Sequence, residues 1–183
     1  MGASTGGVAA LTELLSALPA GMPPIVIAQH MPPGYTTRFA RRLQERLSRD
    51  VAEARDGEPL GRGMVRIAPG DRHLEVKASP GGFITQLGGA SPVSGHCPSV
   101  DVLFGSVAKA AAGSAAGVIL TGMGRDGAAG LRALNRTGAR CLGQSERSCV
   151  VYGMPRAARE LGAVHEEMDL DRLPQRLRDL AHA

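Results

Sequence analysis

At 183 residues, with 43% hydrophobic and 21% charged side chains, the chain has an ordinary globular composition and enough length to bury a core. Aromatics make up only 3%, with no Trp, so nucleic-acid binding by base stacking lacks its usual platforms. The formal charge of +4 is carried mostly by scattered Arg residues, the pattern of a solvated exterior rather than a polyanion-binding run.

In chain order, the first signal is a glycine-rich turn, Gly2-Ala3-Ser4-Thr5-Gly6-Gly7, followed by Leu11, Leu14, Leu15 and Leu18 at the i, i+3, i+4, i+7 spacing of a helix. Pro23-Pro24 punctuates, and Ile25 to Gln29 reads as a buried strand. After Pro32-Pro33-Gly34 a second helix places Phe39, Leu43 and Leu47 on one face, with Arg41, Arg42, Glu45 and Arg46 outward. Between Val51 and Leu87 three short strand candidates follow, Val65–Ala68, His73–Val76 and Phe83–Leu87, and Ser79-Pro80-Gly81-Gly82 suits a hairpin between the last two. This region is expected to be a small β insertion.

Helical spacing returns at Val100, Leu103, Phe104, Val107 and Ala111, with Ser99 as the expected N-cap. Gly117 to Thr121 is the next strand, Gly127 to Asn135 the next helix, and Cys141-Leu142 a further strand. Helices over Arg156–Leu161 and Leu173–Leu180 close the chain. Alternating β and α units predict an α/β fold: a doubly wound, mostly parallel sheet with flanking helices and a small antiparallel β-hairpin insertion. Cys97, Cys141 and Cys149 form no CxxC pair, which argues against disulfides or zinc and for a reducing compartment. No apolar run reaches the roughly 18 residues of a membrane span, and the N-terminus lacks a signal peptide's order, so a cytoplasmic location without membrane insertion is expected.

Three residues could carry chemistry. Ser4 sits in a Gly-x-Ser-x-Gly turn whose glycines expose the hydroxyl above a helix N-terminus. The same pattern also fits an N-capping serine or a phosphate-cradling loop. His30 closes the Ile25–Gln29 strand and is the candidate base; His73, His96, His165 and His182 compete, and His96 is the serious rival. Asp126, after Gly122-Met123-Gly124-Arg125, either caps the next helix or fixes the tautomer of His30, with Asp101 and Asp71 as fallbacks. The glycines around Met123 let its backbone N–H turn toward the site as an oxyanion donor, its side chain packing as wall or core. The order Ser, His, Asp departs from the Ser, acid, His order of α/β-hydrolases.

These segments, together with Gln29-His30-Met31-Pro32-Pro33-Gly34, Ile67-Ala68-Pro69-Gly70-Asp71, Pro98-Ser99-Val100-Asp101, Gly117 to Ala128 and Gly153-Met154-Pro155-Arg156, resemble the catalytic domain of the chemotaxis-type protein-glutamate methylesterases, which also act as protein-glutamine deamidases. The resemblance implies Ser4 as nucleophile, His30 as base, Asp126 as its orienting acid, Met123 N–H in the oxyanion site and Thr5 lining it. It implies methylated chemoreceptors as partners, methanol as product, and no cofactor or metal. Family members carry an apolar strand before the nucleophile turn and often an upstream phospho-receiver domain. The expectation is therefore one catalytic domain over residues 1–183, without that first strand and without a receiver domain. Cys97 stands where the family often has a basic residue. The competing expectation is a catalytically inactive α/β binding module that uses the Ser4 loop; a third keeps the triad for another protein ester or amide.

Overall fold

The computed structural model of the chain describes residues 1–47 and 49–182. Its centre is a seven-stranded sheet in the order β10-β9-β8-β1-β2-β5-β3. The strands are β1 (Gly2–Ala3), β2 (Ile25–Gln29), β3 (Val51–Glu53), β5 (Val65–Ile67), β8 (Ala116–Ile119), β9 (Arg140–Gln144) and β10 (Glu166–Met168). Every pairing in this sheet is parallel. Parallel strands need crossover helices, and those helices bury both faces. On one face lie α1 (Gly7–Ser16), α2 (Tyr35–Arg46) and α6 (Leu173–His182), whose Leu11, Leu14, Phe39, Leu43 and Leu173 join one apolar cluster. On the other lie α3 (Val100–Ala111), α4 (Ala128–Asn135) and α5 (Met154–Glu160), which bury Leu103, Phe104, Leu131 and Met154.

A second, three-stranded antiparallel sheet, β4 (Pro59–Leu60), β7 (Gly82–Leu87) and β6 (Leu74–Ser79), contains the expected hairpin. The insertion is smaller than the sequence suggested. Val51–Glu53 and Val65–Ile67 leave it and extend the parallel sheet beyond β2. Arg66 can lie buried in that sheet because Asp50 and Glu58 accept its guanidinium hydrogen bonds at 2.7 Å each.

β1 is the pivot. Gly2 and Ala3 pair with Ala28 and Gln29 on one side, and Gly2 pairs with Ile119 on the other. The chain winds outward from β1 to β2, β5 and β3, then returns to build β8, β9 and β10 on the opposite side. That reversal of winding opens a crevice at the carboxyl ends of β1, β2 and β8, where open α/β sheets hold their sites. At the opposite end β1 is only two residues long.

Candidate active site

Ser4 follows β1 and His30 follows β2, and the Ala3–Gln29 register makes them neighbours at adjoining strand ends. Adjoining strands run about 4.8 Å apart, so the two side chains start within reach of one another. The backbone around them is fixed from three directions. Ser4 N–H donates to Thr121 O at 3.0 Å, and His30 N–H to Ala3 O at 3.1 Å. The buried Gln29 side-chain amide then donates to both Ser4 O (3.0 Å) and His30 O (3.2 Å). Two carbonyl acceptors fix which way that amide faces. Gln29 went unnoticed in the sequence as a structural part of the site. Its signal is a polar residue ending an otherwise apolar, buried strand.

The turn after Ser4 needs glycine. Gly6 adopts φ +81, and a Cβ there would stand 2.6 Å from Val150 Cβ. Gly122 packs even closer to the hydroxyl-bearing residue, since its Cβ would fall 2.7 Å from Ser4 Cβ. Thr121 ties this layer together: its hydroxyl donates to Thr5 O at 2.9 Å and accepts from Val151 N–H at 3.0 Å. Thr5 thus lies beside the crevice, its carbonyl engaged and its residue exposed.

His30 Nε2 lies 2.7 Å from Asp126 Oδ2. A carboxylate only accepts, so Nε2 carries the proton and Nδ1 of the neutral ring holds the lone pair. That Nδ1 is buried and has no hydrogen-bond partner among the described residues. The His30 side chain keeps 9% of its surface, and the Asp126 side chain none.

Asp126 does not cap the following helix; Gly127 does. Its carboxylate instead sits against the N-terminus of α3. Val100 N–H donates to Oδ2 at 2.7 Å, Asp101 N–H to Oδ1 at 3.0 Å, and Ser99 Oγ to Oδ1 at 2.8 Å. Burial by itself would favour the neutral acid. The hydrogen bonds from His30, Val100, Asp101 and Ser99 outweigh it and hold the Asp126 carboxyl below the ordinary aspartate value. The free N–H groups of a helix's first turn and its positive dipole end supply this preference for an anion.

The rivals fall elsewhere. His73 is buried and structural: its Nε2 lies 2.8 Å from Ser91 O, and its Nδ1 accepts from Ser99 N–H at 3.1 Å. His165 accepts from Cys141 N–H at the far side of the sheet, and His182 ends α6. His96 does reach the site, stacked face to face on His30 with ring centroids 3.8 Å apart and planes 9° from parallel. Asp101 accepts from Gly130 N–H at 2.7 Å and from Ser94 Oγ at 3.1 Å; burial pushes its pKa up. Asp71 is exposed on its loop. The Met123 side chain is 70% exposed, neither wall nor core, and Val150, also 70% exposed, stands over Gly6.

His30, His96 and Asp126 offer ligand atoms within 4.8 Å of one another. They do not fit a metal ion. An imidazole binds metal in its ring plane at about 2.0–2.1 Å, and two parallel stacked rings share no such point. Both Asp126 oxygens are already committed to the four donors described above. Among the described residues, no helix is long and apolar enough to cross a membrane.

A family model described as CheB methylesterase matches residues 1–177. A protein-glutamate methylesterase/protein-glutamine glutaminase of Caulobacter vibrioides is 53% identical over 184 aligned positions, covering 100% of this chain and 53% of that protein. One from Anaeromyxobacter dehalogenans is 50% identical over 181 residues, covering 99% and 51%. The chain therefore spans about half the length of the curated relatives it matches. The crystal structure of the Thermotoga maritima CheB methylesterase catalytic domain superposes with a TM-score of 0.94 at 37% identity, covering 98% of this chain and 95% of that one.

Proposed function

Because the chain belongs to the CheB methylesterase family, we propose that it is a serine hydrolase that cleaves methyl esters of glutamate side chains on chemoreceptor cytoplasmic domains, and deamidates receptor glutamines by the same acyl chemistry. One observation carries the mechanism: the His30–Asp126 pair at 2.7 Å leaves a buried Nδ1 without a partner among the described residues, on a residue that adjoins Ser4 at neighbouring strand ends.

Nδ1 of His30 takes the Ser4 hydroxyl proton as Oγ attacks the ester carbonyl. The imidazolium so formed is stabilised by Asp126, itself ionised by the N-terminus of α3. The oxyanion is held by the Met123 N–H and the first turn of α1, with Thr5 lining the pocket. His30 returns the proton to the departing methoxide, releasing methanol and leaving an acyl-serine. Water, deprotonated by His30, then attacks the acyl carbonyl. The Ser4–acyl bond breaks, Ser4 regains its proton, and a receptor carboxylate remains. For a glutamine the leaving group is ammonia.

The names of the relatives support ester and amide hydrolysis at protein glutamyl side chains, and their roughly doubled length leaves room in them for a phospho-receiver domain. Three free cysteines support the cytoplasm as the compartment. An inactive binding module is less favoured, because a phosphate-cradling loop has no use for a carboxylate-oriented imidazole. In the test, protein incubated with methylated receptor releases methanol, and Ser4→Ala lowers the rate by about 10⁴- to 10⁶-fold. Equal release by the mutant sinks the reading.

A further inference from the structure

We propose that His96 is a positioning residue for His30: its ring, stacked on the imidazole, fixes the plane of the ring whose Nδ1 takes the Ser4 proton. The inference rests on the catalytic reading above and adds a residue which that reading does not use.

The stack is built rather than incidental. Val93 and His96 exchange two backbone hydrogen bonds of 3.0 Å across a two-residue turn. Its central residues, Ser94 and Gly95, have φ of 54 and 81, the paired positive values of a type I′ hairpin turn. A serine tolerates that conformation poorly, and here it is held from outside: Ser94 Oγ donates to Asp101 Oδ2 at 3.1 Å. Ser94 O is engaged as well, by His96 Nδ1 at 3.0 Å. A carbonyl only accepts, so Nδ1 of His96 is protonated and its ring cannot spin about χ2 without losing that bond. Asp101 is anchored in turn to the N-terminus of α4 through Gly130 N–H. The turn that aims His96 and the helix end that binds Asp126 therefore share one residue, Asp101, whose own N–H donates to Asp126.

His30 has one strong tether, the Nε2–Asp126 bond. A single hydrogen bond fixes a ring edge but lets the ring rock about it. A parallel ring at 3.8 Å removes that freedom, because rocking would drive one face into His96. It also covers a face of the imidazole, whose side chain keeps 9% of its surface. Displacement of a reacting group by about 1 Å costs on the order of 10²-fold in rate, which sets the scale of the effect.

The experiment compares wild type, His96→Ala, His96→Phe and Ser4→Ala, each checked for an unchanged melting profile. Two substrates are used: methylated receptor, followed by methanol, and a small fluorophosphonate. The probe reacts by forming a bond from Ser4 Oγ to phosphorus and expelling fluoride, the serine proton passing to His30. The probe makes no receptor contacts. His96→Ala is expected to lower kcat on receptor and the labelling rate together, by roughly 10- to 100-fold. KM stays near wild type, and His96→Phe, which keeps the stack and discards the side-chain hydrogen bond to Ser94 O, recovers most of both rates. A His96→Ala protein that labels at the wild-type rate but shows a raised KM makes His96 a receptor contact and overturns the proposal. Failure of His96→Phe to recover either rate overturns it too, assigning the effect to the imidazole's own chemistry. If wild type releases no methanol beyond Ser4→Ala, the catalytic reading itself has failed. That result is distinct from an active wild type matched by His96→Ala.

Discussion

Asp126 is a side chain that the sequence singles out and whose partners it gives only in part: His30, but not the N-terminus of α3. Its position after a strand and a glycine turn marked it in the sequence, but the capping reading pointed to the helix that follows it in the chain. The structure gives it a helix that precedes it, α3, through contacts spanning 25–27 positions in sequence. No local pattern encodes a contact at that distance. The depressed pKa of its carboxyl has a consequence for stability. The ionised form stabilises the fold fully above the unfolded-state value near 3.9, and this contribution is lost as pH falls through the lower folded-state value. Asp126→Asn is therefore expected to destabilise the protein by about 1–3 kcal/mol at pH 7. Urea midpoints should show the gap between variant and wild type narrowing below about pH 4. A gap that stays constant with pH would mean that the carboxylate's charge contributes nothing.

At the level of elements, the long strands and helices were legible because periodicity needs several residues to declare itself. Ile25–Gln29, the hairpin after Leu74 and the α3 repeat with its Ser99 cap all fall where apolar spacing put them. The strands Val51–Glu53, Pro59–Leu60 and Glu166–Met168 have two or three residues each, too few for alternation to register. Gly2–Ala3 carries no strand signal at all and is defined only by its neighbours. Ser99 shows an element serving two purposes. Its Oγ accepts from Val102 N–H at 3.4 Å as an N-cap and donates to Asp126 at 2.8 Å. Ser99→Ala should cost about 1 kcal/mol in urea unfolding. Ser99→Asp, an acceptable cap elsewhere, should cost more than the alanine, because it sets a second carboxylate against Asp126. An aspartate variant as stable as wild type would show that the contact with Asp126 is unimportant.

Across the whole molecule, the parallel sheet gathers the site by topology: three strand ends, β1, β2 and β8, deliver Ser4, His30 and the Asp126 loop to one crevice. That much followed from the order of β and α units. What that order could not convey is that Gln29, ending β2, ties two of those strand ends together through the carbonyls of Ser4 and His30.

The tie from Gln29 reaches further than the strand that carries it. One side-chain amide holds the carbonyls of both Ser4 and His30. Hydroxyl and imidazole are thereby yoked to a common frame, and a disturbance of either strand end shifts them together rather than apart.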